Sequence, residues 1–392
     1  MPAARLIGSP ASKFDGRLDV LPPLTDPQLA QVPARRGVFL LADESDRPIL
    51  LTTAASIRAR LRGRLEAPDA DRRKRTADLR EVTRRIYWKL AGSHFETDWQ
   101  YLELARAIWP KGYTRMLSWK PAWFVHADPA EPFPHFVRTR EVLAAAGRYV
   151  GPFETARSAD RFLEVLADGF DLCRDVQCLR RSPRGHRCAY GQMGRCLAPC
   201  DGTVSMDAYR RVVAGAAEFA AGRRLDHAGR LRERMRAAAA ELAFERAAAL
   251  KARLDRLSEL DADACRHVAP AEEFRFLLLQ RSGSRRKVSP FCVCRGTIEA
   301  GKALDWPLAG KQLRAVLRRM DRLASAPPGE ADPAGPWRMG LVARLLFGSP
   351  DRAGVVLPWR GGLAPEAVAG AVEAAADALG LSRPAPPADG PN

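Results

Sequence analysis

The sequence predicts an α+β, multidomain protein in which a small α/β unit, a cysteine-rich metal-binding segment, a helical region and a second small α/β unit follow one another. Three observations carry that prediction. With 392 residues the chain exceeds what one ordinary domain buries around a single core, so two or three cores are expected. Strand-like and helical patterns alternate in both outer parts, whereas Met206 to Leu260 is rich in Ala, Leu, Glu and Arg and is interrupted only at Gly215 and Gly222. Between these regions five of the 8 cysteines, Cys173, Cys178, Cys188, Cys196 and Cys200, crowd into one short stretch.

The elements are expected in the following order. Residues 1–32 are Pro-rich and aperiodic and read as a flexible N-terminal segment. Gly37 to Leu41 and Pro48 to Thr52 read as two strands joined by the polar turn Asp43 to Arg47. From Ala54 to Leu65 the spacing of Ile57, Leu61 and Leu65 marks one helical face, with Arg58, Arg60, Arg62 and Arg64 on the remainder. Those arginines form either a solvated face or a phosphate-facing, DNA-binding surface. A helix over Phe95 to Ile108 and strands at Ala122 to His126 and His135 to Thr139 complete a unit spanning 33–153. Gly151-Pro152-Phe153 interrupts the chain, and a helix over Ala156 to Ala167 leads into the cysteine segment, 154–204. Residues 205–261 form the helical region. A second α/β unit over 262–381 has strands at Phe274 to Gln280 and Ser289 to Cys294 and helices near Lys311 to Leu323, Trp337 to Leu346 and Pro365 to Leu379. Cys292 and Cys294 flank Val293 on one of those strands and read as core thiols. Residues 382–392, rich in Pro and Ala, are expected to be disordered.

Lys and Arg number 63 against 46 Asp and Glu, a net charge of +17 that favours a polyanionic partner such as DNA. No apolar run approaches the ~18 residues of a membrane span, and Met1 to Asp15 lacks the apolar core of a signal peptide, so a cytoplasmic protein with no membrane partner is expected. In that setting clustered cysteines favour metal over disulfides. Seven residues separate Cys188 from Cys196 and three separate Cys196 from Cys200, spacings that match neither zinc-ribbon knuckles nor a common ferredoxin run. Soft thiolates suit either zinc or an iron-sulfur centre, so spacing leaves the metal open.

The run Arg187-Cys188-Ala-Tyr-Gly-Gln192-Met-Gly194-Arg195-Cys196-Leu-Ala-Pro199-Cys200 resembles the cysteine-rich segment of the UvrC family. That resemblance implies an iron-sulfur cluster of the 4Fe-4S type, with zinc as the alternative, held by Cys173, Cys188, Cys196 and Cys200. Cys178 is the alternative first ligand. Downstream, Glu241-Leu242-Ala-Phe244-Glu245-Arg246-Ala247-Ala248-Ala249-Leu250-Lys251 resembles the UVR motif, which implies docking to a UvrB-like protein. Leu242, Phe244, Glu245, Ala247, Ala248 and Leu250 are the expected contacts, with Leu242, Ala247, Leu250 and Leu254 sharing one helix face.

With those motifs aligned, residues 33–153 fall where the family carries a GIY-YIG nuclease domain. Gly37-Val38-Phe39 matches the first tripeptide with Phe for Tyr. At the second, Leu50 stands where a tyrosine is expected, and Thr52 where a glycine is. Ser56-Ile57-Arg58-Ala-Arg60 puts Arg60 at the phosphate-supporting arginine, and Glu96-Thr-Asp98-Trp-Gln-Tyr-Leu102-Glu103 puts Glu103 at the metal-holding glutamate. Leucine neither takes nor gives a proton, and loss of a general base typically slows catalysis by ~10²–10⁴-fold. The resemblance therefore implies a degenerate nuclease domain with vestigial Arg60 and Glu103, unless Tyr87 or Tyr101 substitutes. Two alternatives stand beside it: an active endonuclease using magnesium or manganese, and a UVR adaptor that does not act on DNA. After Asp261 the sequence resembles neither the RNase H-like domain nor the paired DNA-binding hairpins of the family.

Overall fold

The structure, a computed structural model, describes residues 10–21, 24–65, 79–222, 224–261, 265–327, 332–348 and 354–381. The hairpin expected at 37–52 is present as β2 (Gly37–Ala42) and β3 (Pro48–Ala54), preceded by β1 (Gly16–Asp19) and followed by β4 (Arg85–Leu90). The four strands form an antiparallel sheet in the order β1-β4-β2-β3. Alternation along β2 sends Phe39 and Leu41 to one face and Val38 and Leu40 to the other, and both faces are buried. Helices α1 (Asp26–Ala30) and α2 (Ile57–Leu65) flank the Phe39 face, and α3 (His94–Ile108) covers the opposite one. The region expected to be a flexible leader thus contributes an edge strand and a helix. Residues 1–9 and the tail from Ser382 lie outside the described residues.

A second correction concerns residues 121–153, grouped above with the hairpin at 37–52. Here β5 (Trp123–Ala127), β6 (Val137–Thr139) and β7 (Arg148–Phe153) form a separate sheet, completed from a distance by β8 (Ala269–Pro270) in the order β6-β5-β7-β8. Val125, Val150 and Phe153 face a core built by α4 (Ala156–Phe170), α7 (Met206–Ala220) and the end of α9 (Phe244–Ser258). Two short helices in the cysteine segment, α5 (Val176–Leu179) and α6 (Ala189–Gln192), and the long α8 (Arg224–Ala240) complete this middle part. Gly169 is required there, because a Cβ on it meets the Leu257 side chain at 2.3 Å.

The C-terminal sheet runs β11-β10-β9-β13, with β12 also on β10. Its strands are β9 (Arg275–Arg281), β10 (Lys287–Cys294), β11 (Thr297–Ala300), β12 (Leu304–Asp305) and β13 (Val355–Pro358). Leu277, Leu279 and Cys292 pack against α10 (Gly310–Ser325) and α12 (Pro365–Ala374), while Phe276, Leu278, Phe291 and Val293 share a core with α3 and α11 (Gly335–Leu346). Helix α3 therefore lies between the N-terminal and C-terminal sheets and joins them into one layered body. Burial pushes the Cys292 thiol up to about 11, as expected of a core thiol. Among the described residues no helix is long and apolar enough to cross a membrane.

Candidate functional site

The cysteine segment begins where α4 ends. Asp171 adopts a left-handed conformation at φ 50°, turning the chain so that Leu172 enters the core and Cys173 follows it out. The Cys173 amide donates to the Tyr209 hydroxyl at 2.9 Å, which anchors the segment to α7. Cys178 lies on α5, whose first amides are capped by the Asp175 carboxylate. Cys188 stands just ahead of α6 without a side-chain capping bond, and Cys196 and Cys200 flank the left-handed Ala198 and are buried. The loop is closed by Gly185 N–H donating to Cys200 O at 2.8 Å and Arg187 Nε pairing with Asp201 at 2.7 Å.

The five sulfurs share one neighbourhood. Cys173 Sγ donates to Asp175 O at 3.2 Å; the neighbouring Cys173 thiol is the chief influence lowering the Cys196 pKa, and, against the opposing effect of burial, the Ala198 amide at 3.4 Å and the Arg174 charge reinforce that shift. The Cys196 thiol and burial in turn raise the Cys173 thiol. Cys178 is pushed up to about 11, chiefly by its hydrogen bond to Asp175, and is close enough to Cys188 and Cys200 to be affected by both. In residue type, Cys173, Cys188, Cys196 and Cys200, with Cys178 adjacent, are the thiols that could hold a thiophilic metal. Among the described residues, no three His, Cys, Asp or Glu side chains converge at one point as ligands of an ion.

Charge ties this segment to the helical hairpin. Asp168 receives Arg174 and Arg195 from the cysteine segment (the latter at 2.7 Å) and Arg256 of α9 at 3.2 Å. Although burial opposes it, these arginines hold the Asp168 carboxyl below its ordinary range. Arg253 bonds both oxygens of Asp171 at 2.7 Å. None of Asp168, Asp171, Arg253 and Arg256 was singled out from sequence, where the only available signal is two carboxylates just ahead of an Arg-rich cysteine stretch.

The hairpin itself corrects the expected partner face. Helix α8 ends at Ala240 and α9 begins at Phe244, with Leu242 between them at φ 60°. Leu242 therefore does not share a helix face with Leu250. Leu242 and Phe244 are 72% and 66% exposed at the hairpin tip, and Glu245 and Ala248 are also exposed. Ala247 is half-buried, whereas Leu250 is buried in the chain's own core and offers nothing to a partner.

The GIY-YIG-like residues are dispersed. Leu50 lies opposite Leu41, and Phe39 opposite Thr52, in an apolar strand pair. Arg58 donates to Val32 O and Ala30 O, both at 2.7 Å, and Arg62 pairs with Asp26 at 3.0 Å, so two of the four arginines expected on DNA have structural partners. Arg60 and Arg64 are exposed, and Arg60 borders a shallow cavity of about 440 Å³ beside Thr53 and Ser56. Glu103 sits on the opposite face of the sheet from Arg60. There Arg338 grips both its oxygens, at 2.6 and 3.0 Å, and also holds Asp332 at 2.7 Å. Tyr87 is buried and donates to Asp46 at 2.6 Å; burial, then that bond, pushes its hydroxyl up to about 12. Tyr101 is also raised by burial, with Met116 O at 3.4 Å from its hydroxyl. Neither tyrosine is set up as a base.

Residues 121–219, which are β5 to β7, α4, the cysteine segment and nearly all of α7, match the family model described as UvrC/Cho excinuclease, middle domain. The middle of the chain is similar to the UvrC family. Its UvrC relatives include the UvrABC system protein C of Moorella thermoacetica, 29% identical over 258 residues, which are 65% of this chain and 41% of that protein. The protein of the same name from Desulforudis audaxviator is 28% identical over 70% of this chain and 44% of its own length. The one from Anaeromyxobacter dehalogenans is 32% identical over 58% of this chain and 32% of its own. The chain thus spans less than half the length of the UvrC proteins it matches. No solved structure matches it.

Proposed function

We propose that the chain is a DNA-binding component of nucleotide excision repair that does not cut DNA with its GIY-YIG-like unit. The observation that carries the non-catalytic reading is the capture of Glu103 by Arg338 on the far side of the sheet from Arg60, with Leu50 in the position expected of a tyrosine. A metal-holding carboxylate turns its oxygens toward the ion, and here both oxygens accept from a guanidinium cation that occupies the place an ion would take. In this reading Cys173, Cys188, Cys196 and Cys200 hold an iron-sulfur cluster that braces the segment between α4 and α7. Such a centre supplies soft coordination and local stiffness, while Asp168 and Arg256 transmit the position of the segment to the hairpin. The apolar tip formed by Leu242 and Phe244 docks a UvrB-like protein, a reading supported by the relatives' name, UvrABC system protein C. The net charge of +17 supports DNA as the second partner.

The test is cleavage of a labelled, lesion-bearing duplex with magnesium or manganese, run beside DNA binding across a salt series. Binding that weakens steeply with salt, without cleavage, is expected. Metal-dependent cleavage abolished by Glu103→Gln would establish the endonuclease instead, and absence of DNA binding at any salt would leave only a protein adaptor.

A further inference from the structure

Away from the cysteine segment, a cavity of about 420 Å³ opens at the seam between the N-terminal and C-terminal sheets. Arg35 and Arg36, just ahead of β2, line it from one side, Ser93 and His94 at the start of α3 from a second, and Arg281 and Ser282 at the end of β9 from a third. Among the described residues no carboxylate lines it. None of the three arginines makes a salt bridge to a carboxylate among the described residues. The two acidic side chains nearby are engaged elsewhere: Glu96 accepts the Gly92 amide at 2.7 Å, and Asp98 lies 3.5 Å from Arg344. Burial and the facing Arg281 charge push the Arg36 guanidinium below its ordinary value, with Asp98 opposing. Like charges thus face one another across the cavity.

One wall is fixed by backbone contact, between Gly92 and Ser282. A Cβ on Gly92 meets the Ser282 backbone at 2.4 Å, and a Cβ on Gly283 meets the Arg35 guanidinium at 1.9 Å. Arg36 Nη1 lies 3.1 Å from His94 Nδ1. The Arg281 guanidinium lies over Gly380, where a Cβ meets it at 3.1 Å. Three cations converge from two sheets on a space large enough for a tetrahedral oxyanion, and planar guanidinium forks suit phosphate oxygens.

We infer that this cavity is a phosphate-binding site that seats a backbone phosphate of a polynucleotide. The polynucleotide part of that inference rests on the DNA-binding reading above. The phosphate part does not. It also gives the C-terminal sheet a share in the DNA surface through Arg281.

The experiment uses the full chain and Arg35→Gln/Arg281→Gln, both exposed positions, with circular dichroism to confirm an unchanged fold. Inorganic phosphate at constant ionic strength is expected to raise the Tm of the wild type and not of the variant. In fluorescence anisotropy with a labelled oligonucleotide, inorganic phosphate should compete, and the variant should bind several-fold more weakly with a salt slope shallower by about 1 per arginine. Equal phosphate shifts in both proteins overturn the site. A variant that keeps wild-type DNA affinity and slope overturns the polynucleotide assignment. If the wild type responds to phosphate but binds no oligonucleotide, the DNA reading fails while the phosphate site stands.

Discussion

Replacing Arg338 by methionine removes the more buried of the two cations between Glu103 and Asp332, leaving Arg106 at 3.9 Å from Glu103 and 3.0 Å from Asp332. The guanidinium is 9% exposed and bonds Glu103 at 2.6 and 3.0 Å, Asp332 at 2.7 Å and Gly296 O at 3.2 Å. Removing one partner of a fully buried ion pair costs about 3–5 kcal/mol. Both carboxylates are about one-third exposed and regain water, so ~2–3 kcal/mol is expected here. Urea unfolding should show a lower midpoint with an unchanged slope. Glu103→Gln, which keeps the shape and loses the charge, should cost ~1–2 kcal/mol, and the double variant should be less destabilised than the sum of the two singles. Glu103→Gln that leaves stability untouched while abolishing divalent-metal-dependent DNA cleavage would refute this account, because Glu103 would then be a metal ligand rather than an anchor for α11.

Three further outcomes are expected. His227 stacks on Phe170 at 4.0 Å with its Nε2 buried and without a hydrogen-bond partner among the described residues, and burial, with Arg230, Arg253 and Arg234 nearby, lowers its pKa to about 4. Because that lies below the unfolded value, the unfolded chain binds the extra proton. Stability should therefore be full above pH ~6.5 and fall as pH drops toward 4, by about 1 kcal/mol given partial exposure, and His227→Leu should flatten that segment of a stability–pH curve. Leu242→Glu with Phe244→Glu should change stability by less than about 0.5 kcal/mol yet abolish co-elution with a UvrB-like protein; retained co-elution would remove the tip as the docking surface. Arg253→Ala, which releases Asp171, should cost ~1–2 kcal/mol and raise protease sensitivity in the α8–α9 hairpin; an unchanged digestion pattern would mean that the pair does not hold it.

Local pattern was legible in the sequence and long-range pairing was not. The hairpin at 37–54 follows from its alternation, and α3, α4, α10 and α11 begin within two residues of where periodicity put them, because an amphipathic stripe is a local property. The strand Arg85–Leu90 was missed: its alternation is blurred by a strand buried on both faces, and it follows a charged stretch. The break at Leu242 was missed because a left-handed leucine carries no glycine signal. The destination of Glu103 was unreadable for a different reason: its partner lies 235 residues away in sequence, and any exposed helix glutamate looks the same before the second sheet packs on it. The cysteines were legible as a group through clustering, while their anchoring depends on Asp168, Arg195 and Arg256, drawn from three separate segments.

Anaerobic purification of the full chain with visible absorption and iron, sulfide and zinc analysis tests the central claim most directly. A brown protein with about four irons and four sulfides per chain is expected, lost when Cys188, Cys196 and Cys200 are changed to serine. Colourless, metal-free protein that folds with its thiols unligated, or protein carrying zinc alone, would contradict it.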